Sequence, residues 1–600
     1  MKSLTGLWKA MADDQSAICD TPIDRDWETV LDRVKDEGLS FLTITLPSYA
    51  ADFERSLDAG GIGSNLFIGF KKRAGLPRFL SGFLLQIFDG RSLELLAEPS
   101  IHAIRAVRQL TLALKKVEIN CTPERERKAL EGFKQCEVDL RRVLEGYDDL
   151  PIEEFRRTSA ILFGSTFDAV NRKVATFNLE PGHGPGATAD RKVGNQKFVQ
   201  SEWTDRLEEY FPFGEYALPH WKWFSDHAPD YLSPEQERPV KITLVPKTLK
   251  TPRIIAVEPS YMQYMQQALM REFVDGIEGD PLSSMFAHFT DQTLNQESAR
   301  EASRTRDLAT LDLSEASDRV LNRLVDDMLA PWPDLAGAVQ ACRSSSAKLD
   351  SGEIIPLVKF ASMGSALTFP MEVIVFTTLI FMGLSRHALD ESLDERFMRK
   401  FRGKVHVFGD DMIVPTDSVN GVVEILEAFG LKVNRTKSFS EGFFRESCGG
   451  DFYDGMAVKP IRLKHLAPTT HQSVPEVLSW NAFMNAAYAA GMTRAGKYCQ
   501  EVLEGALNHR LPFVPPESGA VGVHRPAVLC TPERVNPDTQ RPEVQAYIPV
   551  YLDRKIGVDG IWALQKTLTG RWSDPMFRRH LLQSGRPLSS RMKRAWVAIA

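Results

Sequence analysis

Val405-His406-Val407-Phe408-Gly409-Asp410-Asp411-Met412-Ile413-Val414 is the stretch that decides how this chain is read. Two short apolar runs flank Gly409-Asp410, the pattern of a β-hairpin whose turn needs the backbone freedom of glycine. Two adjacent carboxylates at such a tip repel each other, so the tip is stable at neutral pH mainly with a cation on it. Hard oxygen ligands on a rigid turn suit Mg²⁺. Taken alone, Gly-Asp-Asp reads as an exposed turn, since surface turns are rich in both residues.

A third acid changes that reading. Asp312 follows the apolar run Leu308–Leu311, which reads as a strand, and precedes Ser314, a candidate helix N-cap. A carboxylate at that strand end can face the Asp410 tip on a neighbouring strand. Three carboxylates on two strands are the minimum for two metal ions about 3.5–4 Å apart, the arrangement of in-line nucleotidyl transfer. Asp318, expected at the start of the following helix, either complements the helix dipole or reads a ribose hydroxyl.

Other segments fit around these acids. Ser362-Met-Gly364-Ser-Ala-Leu-Thr368 leads into an apolar helix, with Thr368 and Glu372 on one face; it reads as capping or as a loop that positions nucleotide and template. Lys241, Lys247, Lys250 and Arg253 place four cations and no acid in thirteen residues. That is a sharp basic patch in a chain of net charge −6, suited to triphosphate and RNA backbone. Lys437, after the helix expected at 422–429, reads as a surface lysine or as a general acid near departing pyrophosphate.

Composition bounds the rest. Six hundred residues, 43% apolar and 25% charged, exceed one core and exclude a disordered or fibrous chain. The net acidity excludes a basic nucleic-acid coat but not a local channel. Seven scattered Cys without C-x-x-C pairs argue against a disulfide framework or zinc site. No signal peptide is seen at Met1–Gln15, and the apolar run Val373–Leu384 is too short to span a membrane, so a soluble cytoplasmic protein is expected. The glycine-rich 181–188 reads as a turn, with a phosphate nest as the alternative. Eight prolines between Pro512 and Pro549 exclude one regular element there. The basic end Arg571–Ala600 reads as a solvated tail or a nucleic-acid contact.

Taken together, these segments resemble the catalytic subunit of the RNA replicases of the leviviral single-stranded RNA phages. Lys241–Pro259 resembles the family's basic fingers motif, and Asp291–Gln296 its link into the palm. Thr310–Asp318 resembles polymerase motif A, Ser362–Phe369 motif B, Phe408–Asp411 motif C, Asn434–Phe439 motif D and Ser440–Gly449 the run into motif E. The resemblance covers about a third of the chain, with all motifs in order. It implies an α+β, right-handed polymerase fold: a mainly helical N-terminal and fingers region over 1–240, basic fingers over 241–300, an antiparallel-sheet palm over 301–465, and a mainly helical thumb and C-terminal region over 466–600.

It also implies primer-independent, RNA-directed RNA synthesis from ribonucleoside triphosphates. Two Mg²⁺ ions, with Mn²⁺ as a substitute, would sit on Asp312, Asp410 and Asp411, with Lys437 in the catalytic set. Lys247, Arg253, Asp318, Ser362, Gly364 and Thr368 would contact the nucleotide, and Lys241 and Lys250 the RNA. The implied partners are template and product RNA, host elongation factors Tu and Ts and a ribosomal protein, in the host bacterial cytoplasm and away from membrane. Trp572 or Trp596 is a candidate base-stacking platform for initiation. Three positions depart from the broader pattern: Phe408 for Tyr, Glu315 for a small residue, and Glu372 where animal-virus relatives have Asn. A reverse transcriptase-like enzyme and a non-catalytic RNA-binding protein of the same fold are the rival readings.

Overall fold

Strand Leu308–Leu311 is buried at all four positions, which is why its sequence is continuously apolar rather than alternating. In the computed structural model, which describes residues 2–386, 392–552, 559–570 and 589–599, this strand lies at one edge of an antiparallel ladder with Asp411–Pro415 and His406–Phe408. Met412 pairs with Leu311 and Phe408 with Asp411, so Gly409 and Asp410 form a two-residue turn. Gly409 has φ +61, as a type II′ hairpin requires at its first turn position. The other edge of Leu308–Leu311 is covered by residues 432–439, through bridges of Thr310 with Phe439 and Leu313 with Val433.

Helices Thr368–Ser385 and Val419–Ala428 belong to the same hydrophobic core as this sheet, together with Ile152–Ala175 and Ser260–Gly279. Thr368–Ser385 is long and apolar enough by composition to cross a membrane, yet 89% of it is buried inside the protein, as a core helix should be. A second core joins residues 4–117 to residues 439–523, with helix Lys2–Cys19 against Thr493–Leu507. A second sheet has the order Arg253–Val257, Val240–Val245, Ser346–Lys348, Ile354–Pro356. Helix Pro123–Glu145, capped by Thr122 with proline at its start, buries Phe133, Cys136, Glu137 and Leu140 on one face. The protein is therefore an α+β fold.

Three expectations are corrected. Ser314 caps no helix; the chain turns at Glu315, φ +58, into a short 3₁₀ turn, Ala316–Asp318. The α-helix begins only at Asn322, so Asp318 lies on the turn and not at a helix start. The left-handed Glu315 is held by its ion pair with Arg319 at 2.8 Å. The proline-rich region is, as expected, not one regular element, but it ends in a long strand, Pro542–Leu552, paired along its length with Ser589–Ala598. Part of the basic end is thus sheet and not tail. Trp596 lies there under the Arg534 guanidinium, 4.1 Å from its ring centre, while Trp572 is outside the described residues.

The glycine-rich loop turns carbonyls, not amides, onto buried cations. Lys197 donates to the Gly184 and Gly186 carbonyls and Arg271 to that of Glu180. That polarity is the reverse of an anion nest, so the loop acts as a turn. All seven cysteines are free thiols.

His288 and His406 tie the segment before the sheet to its outer strand. Their rings stack, with Nε2 and Nδ1 3.0 Å apart, and backbone bonds join His288 and Phe286 to Val407 on either side. Burial, and then the neighbouring imidazole, push His406 down to about 4 from 6.5. The unfolded chain therefore takes up this proton first, and His406 adds stability that is full above pH ~6.5 and lost as pH falls toward ~4. Between about pH 8 and pH 5 the loss should be about 2 kcal/mol. Buried acids raised in pKa, such as Glu258, act with the opposite slope. The test is thus the difference between the parent and His406→Asn in urea unfolding across that range; a difference independent of pH would refute it.

Candidate active site

Because Met412 opposes Leu311 at the last ladder pair, the next residues outward, Asp411 and Asp312, leave the sheet at the same end, with Asp410 on the adjoining turn. The sequence expectation that these acids converge is met in the backbone. Their charges act on one another. Asp312 is raised above the ordinary carboxylate value by burial; Lys437 lowers it, Asp410 raises it and Asn434 lowers it. Asp411 is pushed up to about 7, by burial first and then by Asp410, Asp312 and Glu446.

The 432–439 segment brings the counter-charge. Asn434 donates from its backbone to the Asp312 carbonyl and from its side chain to Oδ2, both at 2.8 Å. Lys437 Nζ lies 3.3 Å from each Asp312 oxygen. Burial pulls the Lys437 ammonium down, but Asp312, Glu446 and Asp410 outweigh that and leave it above the ordinary lysine value.

The basic hairpin lies opposite. Lys247 is lowered by desolvation and then by Arg253 and Lys437, while Asp410 and Asp312 pull it upward. One of the four cations, Lys247, thus faces the acids, with Arg253 beside it. Lys241 lies back on strand Val240–Val245, and Lys250 sits exposed in a loop braced from below by Arg125, which donates to the Leu249 carbonyl. Neither is brought to the acids.

The 362–368 loop underlies the turn. Ser362 Oγ donates to Asp318 Oδ1 at 2.8 Å, and Thr368 Oγ1 to the Ser362 carbonyl at 2.8 Å. Ala256 N–H donates to the Met363 carbonyl, tying the loop to the basic hairpin. Phe369 packs edge-on against Phe408, 5.3 Å between centres, directly under Gly409. Glu372 is buried behind the acids, and burial, Asp410 and Asp318 raise it well above the usual range.

Sequence reasoning missed Glu446, Asn434 and Lys359 as site residues. Glu446 acts on Asp411 and Lys437 from strand Phe444–Ser447. Lys359, wholly buried, pairs with Asp318 at 2.9 Å. A charged residue in the apolar run Ile355-Pro-Leu-Val-Lys359-Phe was the available signal, since buried lysines are rare unless paired.

The fit to a divalent cation can be judged from the donor set. Asp312, Asp410 and Asp411 are hard oxygen donors, and Asp312 and Asp411 are raised by burial first and by neighbouring acids after it. Among the described residues no three such side chains form a ready-made cage. Asp312 Oδ2 accepts from Asn434, and Lys437 lies against both Asp312 oxygens. The donor types fit the group.

All of these segments fall within one matched stretch. Residues 227–478 match the family of the RNA replicase, beta-chain. The chain is 36% identical over 226 residues to the RNA-directed RNA polymerase subunit beta of Escherichia virus Qbeta. That match covers 38% of this chain and 35% of the relative. It is 34% identical over 220 residues to the RNA-directed RNA polymerase beta chain of Escherichia phage MS2, 37% of each chain. The match thus spans about a third of the length of these relatives. Among solved structures, the RNA-dependent RNA polymerase of a human picorbirnavirus aligns with TM-score 0.32 and 14% identity, over 44% of this chain and 55% of that one.

Gly364 is the tightest point of the replicase-like loop. Its φ is +140, and a Cβ there would lie 1.9 Å from the Ala256 carbonyl oxygen. Gly364→Ala should therefore cost about 2–4 kcal/mol or displace the loop from the hairpin. Denaturant unfolding together with proteolysis of the loop checks this; a variant of parental stability and protease resistance would contradict it.

Proposed function

We propose that this protein is an RNA-directed RNA polymerase that copies an RNA genome from ribonucleoside triphosphates without a primer. The observation that carries the reading is the register that sends Asp312 and Asp411 out of one end of the ladder, beside Asp410 and facing Lys247 and Lys437. The sequence similarity of residues 227–478 to leviviral replicase beta chains supports it.

In this reading Asp312, Asp410 and Asp411 would hold two Mg²⁺ ions, which would supply acidification of the RNA 3′-hydroxyl and charge neutralisation on the triphosphate. The chain's own groups do the rest. Lys247 and Arg253 hold the triphosphate by charge-assisted bonds. Asp318 accepts from the ribose 2′-hydroxyl, with Ser362 and the Gly364 loop setting the floor of the site. Lys437, held against Asp312, donates its proton to the leaving pyrophosphate. Lys241 and Lys250 follow the RNA backbone beyond the site. Fingers over 241–300, palm over 301–465 and thumb over 466–600 surround the template, with 1–240 as the N-terminal and fingers region. Work in the host bacterial cytoplasm with elongation factors Tu and Ts and a ribosomal protein belongs to the same reading.

Asp410→Asn should abolish nucleotide incorporation, by at least about a thousandfold, and leave RNA affinity within about twofold. Primer-free synthesis and filter binding measure the two; elongation by this variant would refute the metal assignment. Lys437→Ala should slow the single-turnover chemical step about 10²-fold with little change in nucleotide affinity. An unchanged single-turnover rate would remove Lys437 as the proton donor. Preference for deoxynucleotides over ribonucleotides would turn the reading to reverse transcription.

A further inference from the structure

Lys359 lies at the centre of a buried relay that nothing in the chemistry above uses. Its side chain is fully enclosed, where an unpaired ammonium is very costly. It is balanced on one side by Glu137 of helix Pro123–Glu145, with Nζ 3.3 Å from Oε1, and on the other by Asp318 Oδ1 at 2.9 Å. The Phe133 ring, from the same helix, lies 3.5 Å from Nζ, a cation–π contact in a dry site. Glu137 is itself fixed, because its Oε2 accepts from the Val358 N–H at 2.8 Å. The backbone around Lys359 is stitched to the residues that follow Asp318: Phe360 N–H donates to the Val320 carbonyl at 2.7 Å and Asn322 N–H to that of Val358 at 3.0 Å.

Asp318 sits on a single 3₁₀ turn, and its carboxylate is about one-fifth exposed. Lys359 and Ser362 both donate to Oδ1, at 2.9 and 2.8 Å. Two donors on one oxygen fix the side-chain rotation, and among the described hydrogen bonds none is made to Oδ2. Glu137 matters to the charge as well. Lys359 alone would neutralise Asp318; with Glu137 present the three groups sum to one negative charge, so Asp318 keeps its strength as an acceptor.

A buried ion pair is a weak source of net stability and is often replaced by apolar side chains without loss. Stability alone therefore gives little reason for a lysine here. We propose that Lys359, neutralised by Glu137, is a positioning residue that aims Asp318 at the ribose 2′-hydroxyl and thereby sets the choice of ribonucleotide over 2′-deoxyribonucleotide. This rests on Asp318 as the ribose reader. A site built to bond a hydroxyl discriminates strongly against the analogue lacking it, because its own polar group is left unpaired. That discrimination depends on the acceptor being held still.

The experiment compares kcat/KM for a ribonucleoside triphosphate and its 2′-deoxy counterpart, on one RNA template, for the full chain and three variants. Lys359→Met keeps the volume and removes the charge. Lys359→Met with Glu137→Gln removes the charge that the first leaves buried, so that folding is tested separately by thermal unfolding. Asp318→Ala reports the ribose reading itself. The expected result is a ribo-to-deoxy ratio at least about tenfold lower in both Lys359 variants, through a higher ribonucleotide KM, with deoxynucleotide use much less affected. If Asp318→Ala lowers the ratio but the folded Lys359 variant leaves it unchanged, with both substrates slowed equally, Lys359 is structural only and the inference is overturned. If Asp318→Ala also leaves the ratio unchanged, the ribose reading of Asp318 falls, and the role of Lys359 with it.

Discussion

Crowding of like charge at one edge of a small sheet is the constraint on which the rest of the structure depends. Asp312, Asp410 and Asp411 are delivered to the same end of the ladder by its register, and the partial burial of Asp312 and Asp411 limits how far water screens them. A slip of one residue would send Asp411 to the other face. Continuous burial on both faces does not by itself forbid that slip. The two-residue turn at Gly409-Asp410 sets the register on one side of the ladder. The bridges of Thr310 with Phe439 and Leu313 with Val433 pin the strand on the other, so backbone pairing fixes the electrostatics in front of the sheet.

Holding such a cluster still takes more than the sheet. Buried cations from distant parts of the chain act as rivets. Arg445, fully buried, donates to the carbonyl of Leu308 at the root of the strand bearing Asp312, and to those of Gly442 and Phe444. Asp58 of the N-terminal region accepts from the backbone of Glu441 and Gly442. Arg108 joins Glu54 to Asp451 beneath the same strands. The N-terminal residues thus share in building the site, although they place none of the three acids in it. Removing one partner of such a buried pair leaves an uncompensated charge, which costs far more than the pair contributes.

The local periodicity of the sequence made the central parts legible. The strand at 308–311, the hairpin around Gly409 and the apolar helix after Thr368 each announce themselves within ten or so residues, whereas the approach of Asp312 to Asp410 and Asp411 across about a hundred residues was expected from strand ends and not from periodicity. What failed was tertiary or depended on fine backbone geometry. Ser314 has the right side chain for a helix cap, but the chain enters the left-handed region at Glu315 and makes a 3₁₀ turn first, so Asp318 is set by that turn. Lys359 and Glu137 lie over two hundred residues apart, and no local pattern marks them as partners. The long strand at 542–552 contains Pro549, which local rules disfavour; only its pairing with 589–598 makes it regular. Glu446 was inside a quoted segment, yet its influence on Asp411 arises from the fold around strand Phe444–Ser447, which no spacing rule reveals.

A net charge of −6 would repel a polyanion if charge were spread evenly, so what matters is its distribution. Here Lys437 pairs with Asp312, and Asp312 and Asp410 act on Lys247, so acids and cations partly cancel. Under the proposed polymerase reading, divalent cations alone would compete with Lys437 for Asp312, and a free triphosphate alone would approach the carboxylates. A metal–nucleotide complex would bring both charges together. A site balanced in this way would favour that complex over either component, a selectivity set by electrostatics before any base is read.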